Sequence, residues 1–159
     1  MLDIYYKSVG RNGNLLLNLP VDRRGLVHEN DVKALMALRQ TLDETFATNL
    51  ARFAKVMASK ERGTRYSANH LNDEEVQTYW AAPDGQIANV ITLEFDKVIT
   101  VNRLLLQEHI ALGQRVKTFE VWATLEGGLQ KVTEGTTIGY KRILRLPELK
   151  TDRVVLRIT

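Results

Sequence analysis

Residues with the chemistry for catalysis or metal binding are few and scattered in this sequence of 159 residues. The three histidines, His28, His70 and His109, do not have the spacing that is typical of a metal site. Cysteine is absent, so disulfides and metals bound by thiolates are excluded. The sequence therefore predicts no bound zinc.

One group of polar side chains lies close together in the sequence, around the turn at Gly113. It contains Glu108, Gln114 and Arg115. These side chains form either a patch for a ligand, or an ion pair and hydrogen bonds that hold two loops together. We favour the second, structural interpretation.

Composition and charge are those of an ordinary globular protein. The chain is 44% hydrophobic and 26% charged, and its length suits one domain or one domain with an appendage. The net charge of +3 is small, and no basic run is interleaved with aromatic residues, which disfavours a nucleic-acid groove. No apolar run approaches the roughly 20 residues that span a bilayer, and the N-terminus lacks the layout of a signal peptide.

The first element that could position these residues is an unusual strand. Leu15, Leu16 and Leu17 are consecutive, so a strand over Leu15–Leu19 is apolar on both faces before Pro20 stops it. Such a strand lies between two layers, as in a parallel sheet covered by helices. Parallel strands need crossover helices, yet only ten residues precede Arg11 and no second strand–helix unit follows. We therefore predict that the chain is the C-terminal piece of a larger protein.

An amphipathic helix is predicted next, from about Asn30 to Thr45. The run His28-Glu29-Asn30-Asp31 supplies capping and acidic residues at its start. Apolar residues then fall on one helical face, namely Val32, Leu35, Met36, Leu42 and Phe46.

From about residue 51 the pattern changes to short strands separated by turns. Alternating or apolar runs occupy 89–95, 102–107, 115–123, 129–132, 137–146 and 153–159. This spacing is typical of an antiparallel sandwich or barrel. Within one run, Phe119 and Val121 point one way while Glu120 and Trp122 point the other. We predict two parts, a βα segment at 1–50 and an all-β domain at 51–159.

The first part resembles a known enzyme family. The strand Asn-Gly-Asn-Leu-Leu-Leu-Asn at 12–18, the loop with Pro20 and Gly25, and the helix lie within Ser8 to Asp43. Together they are similar to the last strand and last helix of the barrel in the α-L-fucosidases of glycoside hydrolase family 29.

The second part resembles the galactose-binding-like, discoidin-type sandwich that follows this barrel in bacterial members. The resemblance rests on Phe46 to Ala51, Asp73, Thr78-Tyr79-Trp80, Leu106-Gln107-Glu108, Leu112-Gly113-Gln114-Arg115 and the run from Gly135 to Arg142. It implies a mainly β fold, an antiparallel galactose-binding-like jelly-roll sandwich preceded by a βα remnant of a (β/α)8-type barrel.

The resemblance also implies an activity for the parent protein. Family 29 enzymes are exo-acting, retaining α-L-fucosidases that hydrolyse terminal α-linked L-fucose from glycans, and they need no cofactor. Retention requires a nucleophile and an acid/base whose carboxyl groups lie roughly 5 Å apart. Neither family motif occurs between Met1 and Thr159, so we nominate no catalytic residue and expect the chain alone to be inactive. The sandwich is then an accessory domain that supports the barrel and is a candidate for carbohydrate binding.

Three residues are candidates for contact with carbohydrate. Asn18 and Asp22 follow the predicted barrel strand, and such barrels place the active site at the C-terminal ends of their strands. Asn18 either contacts a sugar or a catalytic loop, or forms hydrogen bonds with backbone groups where the strand meets the loop. Asp22 either forms a sugar subsite or belongs to a solvated loop. Trp122, turned away from the core, either stacks on a sugar, lies under a loop, or packs against another sheet or domain. We favour the structural interpretation for each.

A calcium site is also implied by the resemblance. Asp73, Glu75 and Thr78 have the spacing of the loop that holds a structural calcium in many discoidin-type sandwiches, and calcium prefers several oxygen ligands. The usual loop has Gly after the Asp, where this chain has Glu74. Because a residue other than Gly resists positive φ, we expect the turn to differ.

Partners and location follow from the same resemblance. It implies the upstream catalytic barrel and fucosylated glycans as partners, and a periplasmic or secreted parent enzyme. Exposed apolar residues of the barrel remnant would allow self-association instead. The competing hypothesis is a stand-alone carbohydrate-binding or adhesion module without catalysis. The predicted strand over Leu15–Leu19 discriminates between the fucosidase fragment and the stand-alone module. A stand-alone module has no reason to carry three consecutive Leu residues before its β domain.

Overall fold

The computed structural model describes all residues from Met1 to Thr159. The chain divides into two compact units, Met1–Asn49 and Leu50–Thr159. The first unit is helical and the second is an antiparallel β structure. Neither α-helix combines the length and the apolar character needed to cross a membrane.

The first unit contains two helices, α1 over Leu2–Lys7 and α2 over Glu29–Thr45. The predicted helix is confirmed as α2. Its N-cap is His28, whose Nδ1 accepts a hydrogen bond of 3.2 Å from the N–H of Asn30. Acidic side chains in the first turn suit the positive end of the helix dipole. No residue of α2 is buried.

The predicted buried strand over Leu15–Leu19 is wrong for this chain. Residues 13–20 have no regular secondary structure, and Leu16 is 95% exposed. A strand exists only through hydrogen bonds to a neighbouring strand, and the first unit contains no strand that could supply them. An isolated bridge between Val21 and Val27 closes the loop that follows.

The second unit is built from five antiparallel strands. Their bounds are β1 Lys55–Ala58, β2 Asn89–Leu106, β3 Thr118–Leu125, β4 Gly128–Thr136 and β5 Arg142–Ile158. They pair in the order β1-β2-β5-β3-β4. Short 3₁₀ turns occur at Leu50–Phe53, Thr64–Tyr66, Ala68–Leu71 and Ile110–Leu112.

Two of these strands are longer than the sequence pattern indicates. The predicted strands at 89–95 and 102–107 are parts of β2, and those at 137–146 and 153–159 are largely parts of β5. Two irregular stretches interrupt their pairing, and such bulges let a long strand bend. Pro147 lies in one of them, between Arg145 and Leu149, where its missing N–H breaks no regular ladder.

The core of the second unit lies on one face of the sheet. In β3, Phe119, Val121 and Ala123 are buried, while Glu120 and Trp122 on the opposite face are half-exposed, which confirms the predicted alternation. Further buried residues of this core come from the other strands and loops, including Val56, Ala68, Ile91, Ile138, Leu144 and Leu156.

Candidate functional site

Asn18 lies in the first unit beside an open depression of about 200 Å³. The lining is mostly apolar, with Asp31 as its one carboxylate: Met1, Leu17, Asn18, Leu19, Pro20, Asp31, Ala34 and Leu35. Asn18 is exposed, and its side chain makes no hydrogen bond within the chain. It does not satisfy backbone groups here, so its amide remains able to bond to another molecule.

Asp22 holds the loop between Val21 and Val27. Its Oδ1 accepts hydrogen bonds from the backbone N–H groups of Arg24, at 2.8 Å, and Leu26, at 3.4 Å. Its Oδ2 accepts two from the Arg24 guanidinium, at 2.8 and 2.6 Å. The hydrogen bonds from Arg24 keep the pKa of Asp22 below its ordinary value. Both carboxylate oxygens are thus engaged in shaping the loop.

Trp122 is held from two sides by neighbours on the sheet. The guanidinium of Arg157 lies over its ring, 4.3 Å from the centroid, in a cation–π contact. Its indole N–H donates a 2.9 Å hydrogen bond to Oε2 of Glu120. One ring face and the polar edge of Trp122 are therefore already in use.

The Glu120 carboxylate extends this arrangement to strand β4. Lys131 lies 3.4 Å from Oε1 of Glu120 and 2.8 Å from Oε2 of Glu134. The hydrogen bond from Trp122, assisted by the charges of Lys131 and Arg157, lowers the pKa of Glu120. The result is a charged surface network in which Trp122 is a member.

Asp73, Glu75 and Thr78 come together in one hydrogen-bonded turn. Oδ1 of Asp73 accepts from the N–H of Glu75 at 2.9 Å, and Oδ2 accepts from the hydroxyl of Thr78 at 2.7 Å. Nδ1 of His70 lies 3.0 Å from the same Oδ2. Burial alone would raise the pKa of Asp73, but these hydrogen bonds outweigh it and the pKa is lowered.

Glu74 adopts the conformation that the sequence led us not to expect. Its φ is +64°, in the left-handed region that favours glycine. The bonds that Asp73 makes on either side hold the turn in this shape, and the Glu74 carboxylate pairs with Arg52 at 3.1 Å. The turn is therefore retained without glycine.

As placed, this turn does not fit a calcium shell. Its candidate ligands bond to one another, and no group of three or more His, Asp or Glu side chains could hold a metal ion in the chain. Calcium binding stays a prediction, and the hydrogen bonds of Asp73 give the turn another means of support.

Glu108 ties two loops together, as the structural interpretation of the Gly113 turn predicted. Its Oε1 accepts from the N–H groups of Arg115, at 2.7 Å, and Val116, at 2.9 Å. Its Oε2 accepts from the N–H of Gly139 at 2.5 Å. A carboxylate with three backbone donors is a loop anchor, so the hydrogen bonds of Glu108 confirm its part in this interpretation.

Sequence reasoning missed a cluster of aromatic rings in the second unit. The Tyr79 ring is stacked on His109, with centroids 4.5 Å apart, and lies 5.1 Å from Tyr66. The three members of the cluster lie far apart in the sequence; Trp80, the neighbour of Tyr79, packs against the core instead.

Comparison with known proteins gives consistent results over nearly the whole chain. No protein-family profile matches it. Alpha-L-fucosidase 1 of Arabidopsis thaliana is 39% identical over 158 residues, covering 96% of this chain and 31% of that protein. The chain thus spans about a third of the length of the relatives it matches.

Solved structures give the same result. A Bacteroides thetaiotaomicron protein assigned to the α-L-fucosidases is 43% identical with a TM-score of 0.93, over 99% of this chain and 35% of that one. A GH29 fucosidase of Ruminococcus gnavus, solved in complex with fucose, is 31% identical with a TM-score of 0.91, over 99% of this chain and 32% of that one.

A separate similarity concerns the fold of the β region. A chitosan-binding module from a chitosanase/glucanase of Paenibacillus superposes with a TM-score of 0.62 over 70% of this chain and 85% of that module. At 22% identity this similarity identifies a fold only. It agrees with the predicted mainly β, sandwich-type architecture.

Proposed function

Because the chain is homologous to the C-terminal region of the α-L-fucosidases of glycoside hydrolase family 29, we propose that it serves as this region of a retaining exo-α-L-fucosidase. The parent enzyme hydrolyses terminal α-linked L-fucose from glycans, in the periplasm or outside the cell. The nucleophile and the acid/base belong to the remaining part of the enzyme.

The observation that supports this proposal most strongly is the exposed apolar surface of the first unit. Leu16 is 95% exposed and Met36 is 63% exposed, and no residue of α2 is buried. Exposed apolar patches on soluble proteins are typical of interaction surfaces. A neighbouring strand and helix supplied by a barrel would cover both residues, with 13–20 as a barrel strand and α2 as its helix.

The chain's own carboxylates support a positioning role rather than a catalytic one. Asp22 and Glu108 accept hydrogen bonds from two and three backbone N–H groups respectively. Such carboxylates hold loops in place. Asn18, by contrast, has an amide that is not used within the chain, and it is our candidate for contact with a sugar hydroxyl or a catalytic loop.

The second unit is proposed as an accessory domain that supports the barrel and contacts glycan. The anchoring of its loops by Glu108 and Asp73 supports such a role, because a rigid domain makes a better buttress than a mobile one.

A chimeric enzyme tests the proposal. The matched C-terminal third of the Bacteroides thetaiotaomicron relative is replaced by this chain, and hydrolysis of an aryl α-L-fucoside is measured. We expect an active chimera that first releases the α-anomer of fucose, and no turnover by the isolated chain. A folded but inactive chimera, turnover by the chain alone, or initial release of the β-anomer would contradict the proposal.

A further inference from the structure

Three aromatic side chains from separate segments of the second unit form one surface, which we call the aromatic shelf: Tyr66, Tyr79 and His109. Tyr79 and His109 are stacked, 4.5 Å apart and inclined by 18°. Tyr66 lies 5.1 Å from Tyr79, inclined by 41°. The shelf therefore combines a 3₁₀ turn, the segment before β2 and the loop after β2.

The aromatic shelf is not part of the hydrophobic core. All three side chains are half-exposed, and neither Tyr66 nor Tyr79 belongs to the core cluster. The adjacent Trp80 does pack against the core, and its indole N–H donates a 3.0 Å hydrogen bond to the carbonyl of Lys60. Tyr79 is therefore half-exposed beside a residue that is held in the core.

Backbone hydrogen bonds fix the positions of the shelf residues. The N–H of Tyr66 donates to Gly63, at 2.8 Å, and its carbonyl accepts from Ala81, at 3.3 Å. The carbonyl of His109 accepts from Leu112 at 3.0 Å, in the loop that Glu108 anchors. Rings held in advance of binding lose little entropy when a ligand arrives.

Polar groups surround the rings. The guanidiniums of Arg62 and Arg65 lie 5.8 and 5.9 Å from the Tyr66 centroid. Arg62 pairs with Asp84, whereas Arg65 is exposed and forms no ion pair. A hydrogen bond with Tyr66 is the main reason why the pKa of Tyr79 is raised.

We propose that the aromatic shelf is a carbohydrate-binding site of the second unit, with one pyranose ring stacked on Tyr79 or His109 and its hydroxyls bonded by Arg65. A pyranose has an apolar face of C–H groups and a rim of hydroxyls, which matches aromatic rings beside guanidinium donors. The ligand class rests on the proposed function, and the location rests on the geometry alone.

The same geometry disfavours Trp122 as the stacking residue. Arg157 covers one face of its ring, and Glu120 holds its N–H. A sugar on the covered face of Trp122 would have to displace a charged group. Tyr79 and His109 also cover one face of each other, so the proposed sugar stacks on the outer face of one of them.

Titration calorimetry of the full chain tests the proposal, with 2′-fucosyllactose, lactose and chitobiose as probes. We expect heat of binding with at least one probe, about tenfold weaker binding in Tyr79→Ala, and weaker binding in Arg65→Ala. Tyr79→Phe, which keeps the ring, should bind within about threefold of the unmodified chain. Trp122→Ala should bind as well as the unmodified chain.

Two measurements keep the test decisive. In the unmodified chain, NMR signals of the His109 imidazole should shift on titration while the Trp122 indole signal stays, so the result does not depend on how Tyr79→Ala folds. Arg65 is exposed, so its substitution leaves the fold intact. Absence of binding to all three probes would overturn the shelf proposal. It would not affect the fucosidase proposal, which the chimera tests separately. Binding lost in Trp122→Ala and kept in the shelf variants would also overturn it.

Discussion

At the scale of single residues, the carboxylates of this chain act as anchors for backbone. Asp22, Asp73 and Glu108 each accept at least one hydrogen bond from a backbone N–H group in a loop. A buried or half-buried N–H that loses its acceptor costs about 1–3 kcal/mol. These residues therefore maintain the shape of loops.

Glu108 gives the clearest prediction of this kind. Three backbone N–H groups, those of Arg115, Val116 and Gly139, donate to the two oxygens of Glu108. Glu108→Gln replaces one of these oxygens with an NH₂ group, which would face an N–H donor and cannot accept its hydrogen bond. We expect the free energy of unfolding from urea titration to fall by about 1–3 kcal/mol. Glu148→Gln, at an exposed position on β5, is the matched control and should change stability by less than about 0.5 kcal/mol. Equal effects in the two variants would contradict the anchor role.

Asp73 makes stability depend on pH. Its carboxyl pKa is lower in the folded chain than in the unfolded one, so its contribution is complete above the unfolded value of about 3.9. The contribution is lost as the pH falls through the folded pKa. We expect the free energy of unfolding to decline below about pH 4, and Asp73→Asn to flatten part of that decline. Asp96→Asn, at an exposed position, is the control; a decline of equal slope in both variants would contradict the prediction.

At the scale of elements, close contacts fix the position of β4 against β3. An added Cβ at Gly135 would lie 2.7 Å from Cζ of Phe119, which is fully buried. Because Phe119 has no room to move, Gly135→Ala should destabilise the second unit by about 1–3 kcal/mol, measured by thermal or urea unfolding. Gln130→Ala, at an exposed position on the same strand, is the control. A Gly135→Ala variant as stable as the unmodified chain would show that β3 and β4 adjust freely.

The sequence predicts some elements better than others, for physical reasons. Helix α2 is found because its cap at His28 and its apolar period are local signals. The full lengths of β2 and β5 are missed because their pairing is non-local and passes through bulges. The strand over Leu15–Leu19 is absent here because a strand depends on a neighbour.

Candidate sites follow the same rule. The anchoring role of Glu108 is predicted because the Gly113 turn marks it in the sequence. The aromatic shelf is missed because Tyr66, Tyr79 and His109 come together only through folding. The cation–π contact of Arg157 with Trp122 is likewise not predictable from the sequence, since it depends on the register of β3 with β5.

At the scale of the whole molecule, the exposed apolar residues of the first unit form the surface that we propose is covered by a partner, the catalytic barrel. In the absence of that partner, apolar surface drives association between copies. We expect light scattering of the isolated chain to show a mass that rises with concentration. The double variant Leu16→Asp, Met36→Lys should scatter as a monomer, while Leu129→Asp on the β3–β4 hairpin should behave as the unmodified chain. A monomeric unmodified chain at all concentrations would contradict this expectation.

Hydrogen exchange at the amides of Leu15, Leu16 and Leu17 tests most directly whether the first unit completes a larger barrel. These residues have no regular secondary structure in the chain, so their amides should exchange at nearly the rate of an unfolded peptide. In the chimera with the upstream part of the Bacteroides thetaiotaomicron relative, we expect ladder hydrogen bonds and protection on the order of a hundredfold or more. Equally fast exchange in the folded chimera would show that this segment forms no barrel strand and would contradict the account.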